Sequence, residues 1–295
     1  MGIINGVYTA MVTPFDKNFK VDYKKLAILL KRQIEAKVAG IVLNSTTGES
    51  LTLSESEKEK IIKFVLKINK GRLKIIVGVG NSSTQKTLSE IKKYNNYKID
   101  GFLFSLPCYN KPNESGLLLH VENCAKASKH PMIIYYVPSR TGQYLKFDLL
   151  EKLCEHKNIV GIKECSGSLV FLAKCTRIKP EFMVFCGNDQ LIDGALRLGA
   201  VGLISVASNV CPKEILNVYN LFCLGKLKES QQAFLDIEEF CEALFIETNP
   251  APLKFAFNAL NLNVGLPRLP LAGVKLESKT IIRQSIINAD IKLQL

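Results

Sequence analysis

Tryptophan is absent, histidine occurs only three times, and no long apolar run interrupts the 295 residues. A membrane helix needs about 18 or more consecutive apolar residues, so no span is expected. The opening "MGIINGVYTAMVTPF" lacks the basic segment, apolar segment and small-residue cleavage site of a secretory signal. Gly2 is not followed by serine or threonine where a myristoylation signal places one. These absences lead to the expectation of a cytoplasmic protein. With only His120, His130 and His156, and no Cys/His cluster, a protein-built metal site is not expected. The nine cysteines are odd in number, scattered and without a CxxC pair. Several, including Cys175, Cys186 and Cys241, sit in apolar surroundings, so they are read as reduced thiols and not as a disulfide framework. There is no Walker A loop and no Ser-His-Asp order, and the stretch "VTPFDKNFK" carries no dinucleotide-type glycine fingerprint.

The formal charge is +12, from 39 Lys+Arg against 27 Asp+Glu. A basic protein invites a nucleic-acid reading. The lysines, however, are spread over amphipathic stretches such as "DYKKLAILLKRQ" and "SEKEKIIKFVLKINK", with no recognition motif among them. No nucleic-acid partner is expected; a basic surface also suits small anionic substrates.

What is present is a hydrophobic content of 47% and a regular alternation. Short apolar, β-branched runs recur: "GVYTAMV", "GIVLN", "KIIVGVG", "GFLFSL", "PMIIYYV", "NIVGIK", "FMVFCG" and "GLISV". Between most of them lie stretches of helical period, at residues 22–38, 54–70, 84–96, 113–128, 146–156 and 168–178. Strands alternating with helices of this length make βαβ units and a parallel sheet. Eight of them favour an α/β fold of the (β/α)8 TIM-barrel type over an open doubly wound sheet. After about residue 206 the pattern becomes purely helical. The expected organisation is a barrel over 1–208 with a C-terminal helical segment, 209–295, packed on it.

In such a barrel the functional groups sit at the C-terminal ends of the strands. "NIVGIKECSG" ends a strand-like run in Lys163, an unusual residue for a buried strand. Period-two alternation puts Ile159, Gly161 and Lys163 on one face, and Gly161 would leave room for the lysine stem. Lys163 is a solvated strand end, half of an ion pair, or a reactive amine. Glu164 is a poor partner, because adjacent strand residues point to opposite faces. An ordinary lysine, with a pKa of about 10.4, is neutral in roughly one molecule in 2,500 at pH 7. Desolvation would lower that pKa and free the amine to attack a carbonyl.

On the preceding run, Tyr135 shares a face with Ile133 and Val137, beside Lys163, while Tyr136 points the other way. Tyr135 is either a proton shuttle or an amphipathic core residue. Pro138 and "SRTG" then fix Arg140 near the strand end, where its planar fork could hold a carboxylate. The turn "STTGE" offers two hydroxyls and successive backbone N–H groups able to cradle a small anion. Ser54 to Glu57, just beyond, fits a capping box.

"VTPF", "TTGES", "GVG", "YNKP", "YVPSRTG", "GIKECSG", "GLISV", "NPAPLKFA" and "PRLPL" occur in this order along nearly the whole chain. Taken together they resemble the pyruvate-dependent class I aldolases of the dihydrodipicolinate synthase and N-acetylneuraminate lyase superfamily. The resemblance implies that Lys163 forms an imine with pyruvate and that Tyr135 is the acid/base beside it. Thr46 would link Tyr135 to Tyr109 in a hydroxyl relay, with Tyr109 entering from a neighbouring subunit. Thr47 would bind the pyruvate carboxylate, Ile204 would line the same pocket, and Arg140 would hold the carboxylate of the second substrate. "PSRTG" implies the synthase branch, which condenses pyruvate with aspartate 4-semialdehyde to 4-hydroxy-tetrahydrodipicolinate on the route to lysine and diaminopimelate. A lyase of a sugar acid is the alternative, and a non-catalytic keto-acid-binding paralogue is the reading from outside the enzymes. The resemblance also implies no cofactor beyond the covalent imine and a homo-oligomer built as a dimer of dimers.

The sequence departs from the family pattern at several places. Ser45 replaces the usual glycine before "TTGE", Tyr136 the usual asparagine, and Cys108 the first tyrosine of "YYN". Ser82, Lys86 and Lys58 stand where lysine-inhibited members carry asparagine, glutamate and histidine. A lysine at position 86 would repel an ammonium ligand, so weak or absent feedback inhibition by lysine is expected.

Overall fold

The computed structural model describes residues 2–293. Its strands are β1 (Gly6–Ala10), β2 (Gly40–Leu43), β3 (Lys74–Val79), β4 (Gly101–Ser105), β5 (Met132–Tyr136), β6 (Ile159–Glu164), β7 (Met183–Cys186) and β8 (Gly202–Ser205). They are ordered β1 to β8 around a closed barrel, with parallel ladders, and helices alternate with them. The (β/α)8 expectation holds, and each of the eight apolar runs forms its strand. Helices Pro212–Cys223, Leu227–Ala243, Ala251–Ala259 and Leu276–Asn288 follow the last strand. No helix among the described residues is long and apolar enough to cross a membrane.

The runs read as continuous apolar segments because parallel strands are covered on both faces. Every residue of β1, β2 and β5 is buried. Fully burying a valine, leucine, isoleucine or phenylalanine side chain contributes about 1.5–3 kcal/mol, so these short strands are held by their side chains as well as their ladders. The helices start where polar residues can satisfy the first N–H groups. Ser54 accepts from the Glu57 N–H while Glu57 reaches back to the Ser54 N–H, which completes the expected capping box of helix Glu55–Asn69. Asp22, Ser83 and Asn113 cap helices Tyr23–Ala36, Thr84–Tyr94 and Glu114–Ala127 by accepting from the N–H groups of Lys25, Lys86 and Gly116.

Two compact units can be described separately. The first comprises the segment up to Gly6 together with Lys74–Ile204, and thus β3 to β7 and most of β8. Its core is built from strand residues such as Ile76, Phe102, Phe104, Ile134, Ile162 and Phe185, all fully buried. The second comprises Val7–Leu73 and the chain from Ser205 onward. There Phe15, Leu30, Ile41, Phe240 and Phe257 are fully buried. Asn209 ties its two segments together, accepting from the Val12 N–H and donating to the Ala10 carbonyl.

Candidate active site

In the first unit, β5, β6 and β7 bring Tyr135, Lys163 and Phe185 into register. Lys163 is 4% exposed and Tyr135 8%. The lysine amine lies over the tyrosine ring, 4.7 Å from its centroid. Glu164 points away, as alternation requires, and its carboxylate accepts from the Ser166 N–H at 2.7 Å. Burial pushes the Glu164 carboxyl above the ordinary range.

The room for the lysine comes from Gly187, not Gly161. A Cβ at Gly187, just past β7, would stand 2.7 Å from Lys163 Cε and 2.0 Å from Cys165 Sγ. A Cβ at Gly161 would instead strike the Met183 carbonyl oxygen at 2.3 Å, so that glycine permits close approach of β6 and β7. Position 187 lies outside the lysine's own strand, and period-two reasoning along β6 could not find it.

Burial is the largest influence on the Lys163 amine and lowers its pKa. Cys165, Tyr135, Asp189 and Cys186 act against it, and the balance lies above the ordinary lysine value. Desolvation alone therefore does not set this amine, which corrects the expectation from sequence. Much of the opposition is conditional on pH. The Cys165 thiol is itself pushed up to about 11, chiefly by burial, and Cys186 further still. Near neutral pH neither is an anion, and Asp189 is the only carboxylate among the four opposing groups.

Arg140 is exposed in the short helix Pro138–Thr141, which Pro138 starts. Its charge reaches Cys165, placing it on the Lys163 side of the unit. Tyr136 lies on the opposite face, its ring 5.1 Å from that of Phe171. Its hydroxyl accepts from the Leu145 N–H at 3.5 Å, so this departure does not face the lysine. Ile204 is fully buried on β8. Tyr109 is not buried with Lys163: it is 94% exposed, with a left-handed backbone at φ 72°. Two further departures meet beside it. The Ser82 hydroxyl donates to the Cys108 carbonyl at 2.7 Å and lies 3.3 Å from its sulfur.

In the second unit, Ser45 to Ser50 form the turn after β2. Thr46 is partly buried and Thr47 is 2% exposed. The Thr13 hydroxyl donates to the Gly48 carbonyl at 2.7 Å, and the Glu49 N–H to the Thr46 carbonyl at 3.0 Å. Asn249 donates its amide to the Thr47 hydroxyl at 3.0 Å. Glu49, with a left-handed φ of 54°, is anchored by Lys254 at 2.5 Å and by the Arg268 N–H at 2.8 Å. The Lys254 amine also donates to the Leu266 carbonyl at 3.2 Å and sits 3.9 Å from the Phe15 ring centroid. Arg268 grips Glu57 through two bonds of 2.6 and 2.9 Å, which holds that carboxyl at about 2.

Sequence reasoning missed Asn249, Lys254 and the anchoring role of Glu49. One local signal was available. Lys254 is a charge inside the apolar "APLKFAF", the same anomaly that marks Lys163. Among the described residues, no group of three or more His, Cys, Asp or Glu side chains could hold a metal ion.

A buried amine over a phenol at the end of a barrel strand defines a (β/α)8 protein equipped for carbonyl chemistry. The Dihydrodipicolinate synthetase family profile matches residues 3–289. The 4-hydroxy-tetrahydrodipicolinate synthase of Brachyspira hyodysenteriae is 37% identical over 288 residues, covering 98% of each chain. The solved 4-hydroxy-tetrahydrodipicolinate synthase of Methylacidiphilum fumariolicum shares 36% identity with a TM-score of 0.95, over 97% of this chain and 96% of that one. A monomeric dihydrodipicolinate synthase variant aligns at 33% identity and a TM-score of 0.94, over 98% of each chain. The chain belongs to the Dihydrodipicolinate synthetase family, and it is an enzyme.

Proposed function

We propose that the protein condenses pyruvate with L-aspartate 4-semialdehyde to give 4-hydroxy-tetrahydrodipicolinate and water, with Lys163 as the nucleophile. The observation that carries this reading is the Lys163 amine, buried yet adjacent to a phenol and reached by no carboxylate ion pair among the described residues. The amine adds to the pyruvate carbonyl and expels water to form an iminium. That cation acidifies the pyruvate methyl group, and loss of a proton gives an enamine. The enamine carbon attacks the semialdehyde, whose amino group then closes the ring and displaces Lys163.

Tyr135, next to the amine, moves the protons of these steps. Thr46 passes them towards Tyr109 of a neighbouring subunit. The exposed ring of Tyr109 supports such a role across an interface. Thr47 holds the pyruvate carboxylate, Ile204 gives the pocket an apolar wall, and Arg140 holds the carboxylate of the semialdehyde. The reaction needs no cofactor beyond the lysine imine. We place the enzyme in the cytoplasm as a dimer of dimers, which light scattering of the purified protein tests directly. Exposed Lys86 supports weak or absent inhibition by lysine; half-inhibition at submillimolar lysine would refute that.

Borohydride reduction in the presence of pyruvate, followed by mass spectrometry, tests the mechanism. The expected result is one pyruvyl adduct, mapped to Lys163 and lost in Lys163→Ala. No adduct, or one that survives Lys163→Ala, rejects it.

A further inference from the structure

Thr47 and Asn249 are 202 positions apart in sequence, yet the Asn249 amide Nδ2 donates to Thr47 Oγ1 at 3.0 Å. Both side chains are buried, at 2% and 5% exposure. A hydroxyl has one proton and two lone pairs. Here the amide occupies a lone pair, so the proton must point elsewhere. Among the described residues Thr47 donates it to no protein acceptor. A substrate carboxylate offers acceptors only and needs that proton.

The backbone of the turn does not depend on this amide. It is held by Thr13 on the Gly48 carbonyl, by the Glu49 N–H on the Thr46 carbonyl, by the Ser50 N–H on the Ser45 carbonyl, and by Lys254 on Glu49. The amide therefore acts on the Thr47 hydroxyl itself. We infer that Asn249 is a positioning residue that aims the Thr47 proton at the pyruvate carboxylate. This rests on the assignment of Thr47 as the carboxylate-binding group.

The test compares Asn249→Asp and Asn249→Ala, in the Thr47 and the Thr47→Val backgrounds. Aspartate keeps the shape but offers only acceptors, so it draws the hydroxyl proton toward itself. In the Thr47 background, Asn249→Asp is expected to raise the pyruvate KM about tenfold or more, and Asn249→Ala about threefold. The semialdehyde KM should stay within about twofold of wild type. In Thr47→Val, neither change at Asn249 should move the pyruvate KM more than about twofold, because there is no hydroxyl to aim.

An equal rise in both backgrounds would overturn the inference, since simple charge repulsion or loosened packing does not need the hydroxyl. An unchanged pyruvate KM in Asn249→Asp, or loss of the fold in both single variants, would overturn it as well. Failure of the wild-type protein to form the borohydride-trapped adduct would instead reject the imine mechanism. A trapped adduct with an unmoved KM rejects only the role of Asn249.

Discussion

Two buried lysines, one in each unit, are provided for in opposite ways. Lys254 is 1% exposed and fully engaged: Glu49 pairs with it, the Leu266 carbonyl accepts from it, and Phe15 lies against it. Lys163 is 4% exposed and meets the face of Tyr135, two thiols and the nearby Asp189. Burying a charge is costly unless it is paired and hydrogen-bonded. Around Lys254 the pairing offsets the burial only in part, yet it commits the amine to holding the turn after β2. Around Lys163 burial keeps the two thiols neutral near pH 7, and among the described residues no ion pair commits the amine. The difference separates a lysine that builds the fold from the one proposed as the nucleophile.

Exchanging the two residues' fates gives the largest expected effect. Lys163→Ala should lower kcat/KM by roughly 10^4-fold or more, the scale of losing a covalent nucleophile. Its melting temperature near pH 7 should fall modestly, because the surroundings hold the charged amine above its ordinary value and that contribution is lost. Lys254→Met should cost stability more heavily. It leaves Glu49 buried beside a single N–H donor and should cost about 3–5 kcal/mol in denaturant unfolding. The double change Lys254→Met with Glu49→Gln should recover much of that loss, since no buried charge is then left unpaired. A Lys254→Met protein as stable as wild type would show that the pair does not anchor the turn.

Arg140→Ala sharpens the Lys163 side with a smaller effect. It should raise the semialdehyde KM about tenfold to a hundredfold, the loss of a charged hydrogen-bonded contact. Borohydride trapping of pyruvate on Lys163 should be nearly unaffected. An equal loss of trapping would mean that Arg140 serves the first substrate.

The two lysines also differ in how legible they were. The eight strands could be read because each is a short apolar run buried on both faces, a property of consecutive residues. Lys163 and Tyr135 could be read for the same reason: alternation places them on facing positions of neighbouring strands, and the β5–β6 register joins them. The pairing of Lys254 with Glu49 and of Asn249 with Thr47 could not be, because each joins positions about two hundred residues apart. Periodicity carries no information at that range. Gly187 escaped for a related reason, since it serves a side chain that belongs to the neighbouring strand.

The pH dependence of stability gives the smallest and most direct comparison. Burial, opposed by Glu49, lowers the Lys254 amine from the ordinary 10.5 to about 8. Between those two values the unfolded chain keeps a proton that the folded protein has released. Stability then rises with pH, because the unfolded state binds more protons. Below pH 8 both states hold the proton, and the contribution is flat. Lys163 has the opposite sign, its balance lying above the ordinary value. Its contribution is complete below 10.5 and is lost only above it. From pH 8 to 10, wild type should gain up to roughly 2 kcal/mol relative to the Lys254→Met, Glu49→Gln double variant. The difference between wild type and Lys163→Met should stay level over the same range. Denaturant unfolding of the three proteins at pH 7, 8, 9 and 10 measures both slopes. A rising slope for the Lys163 difference would mean that burial dominates that amine after all, and that the two lysines are set in the same way.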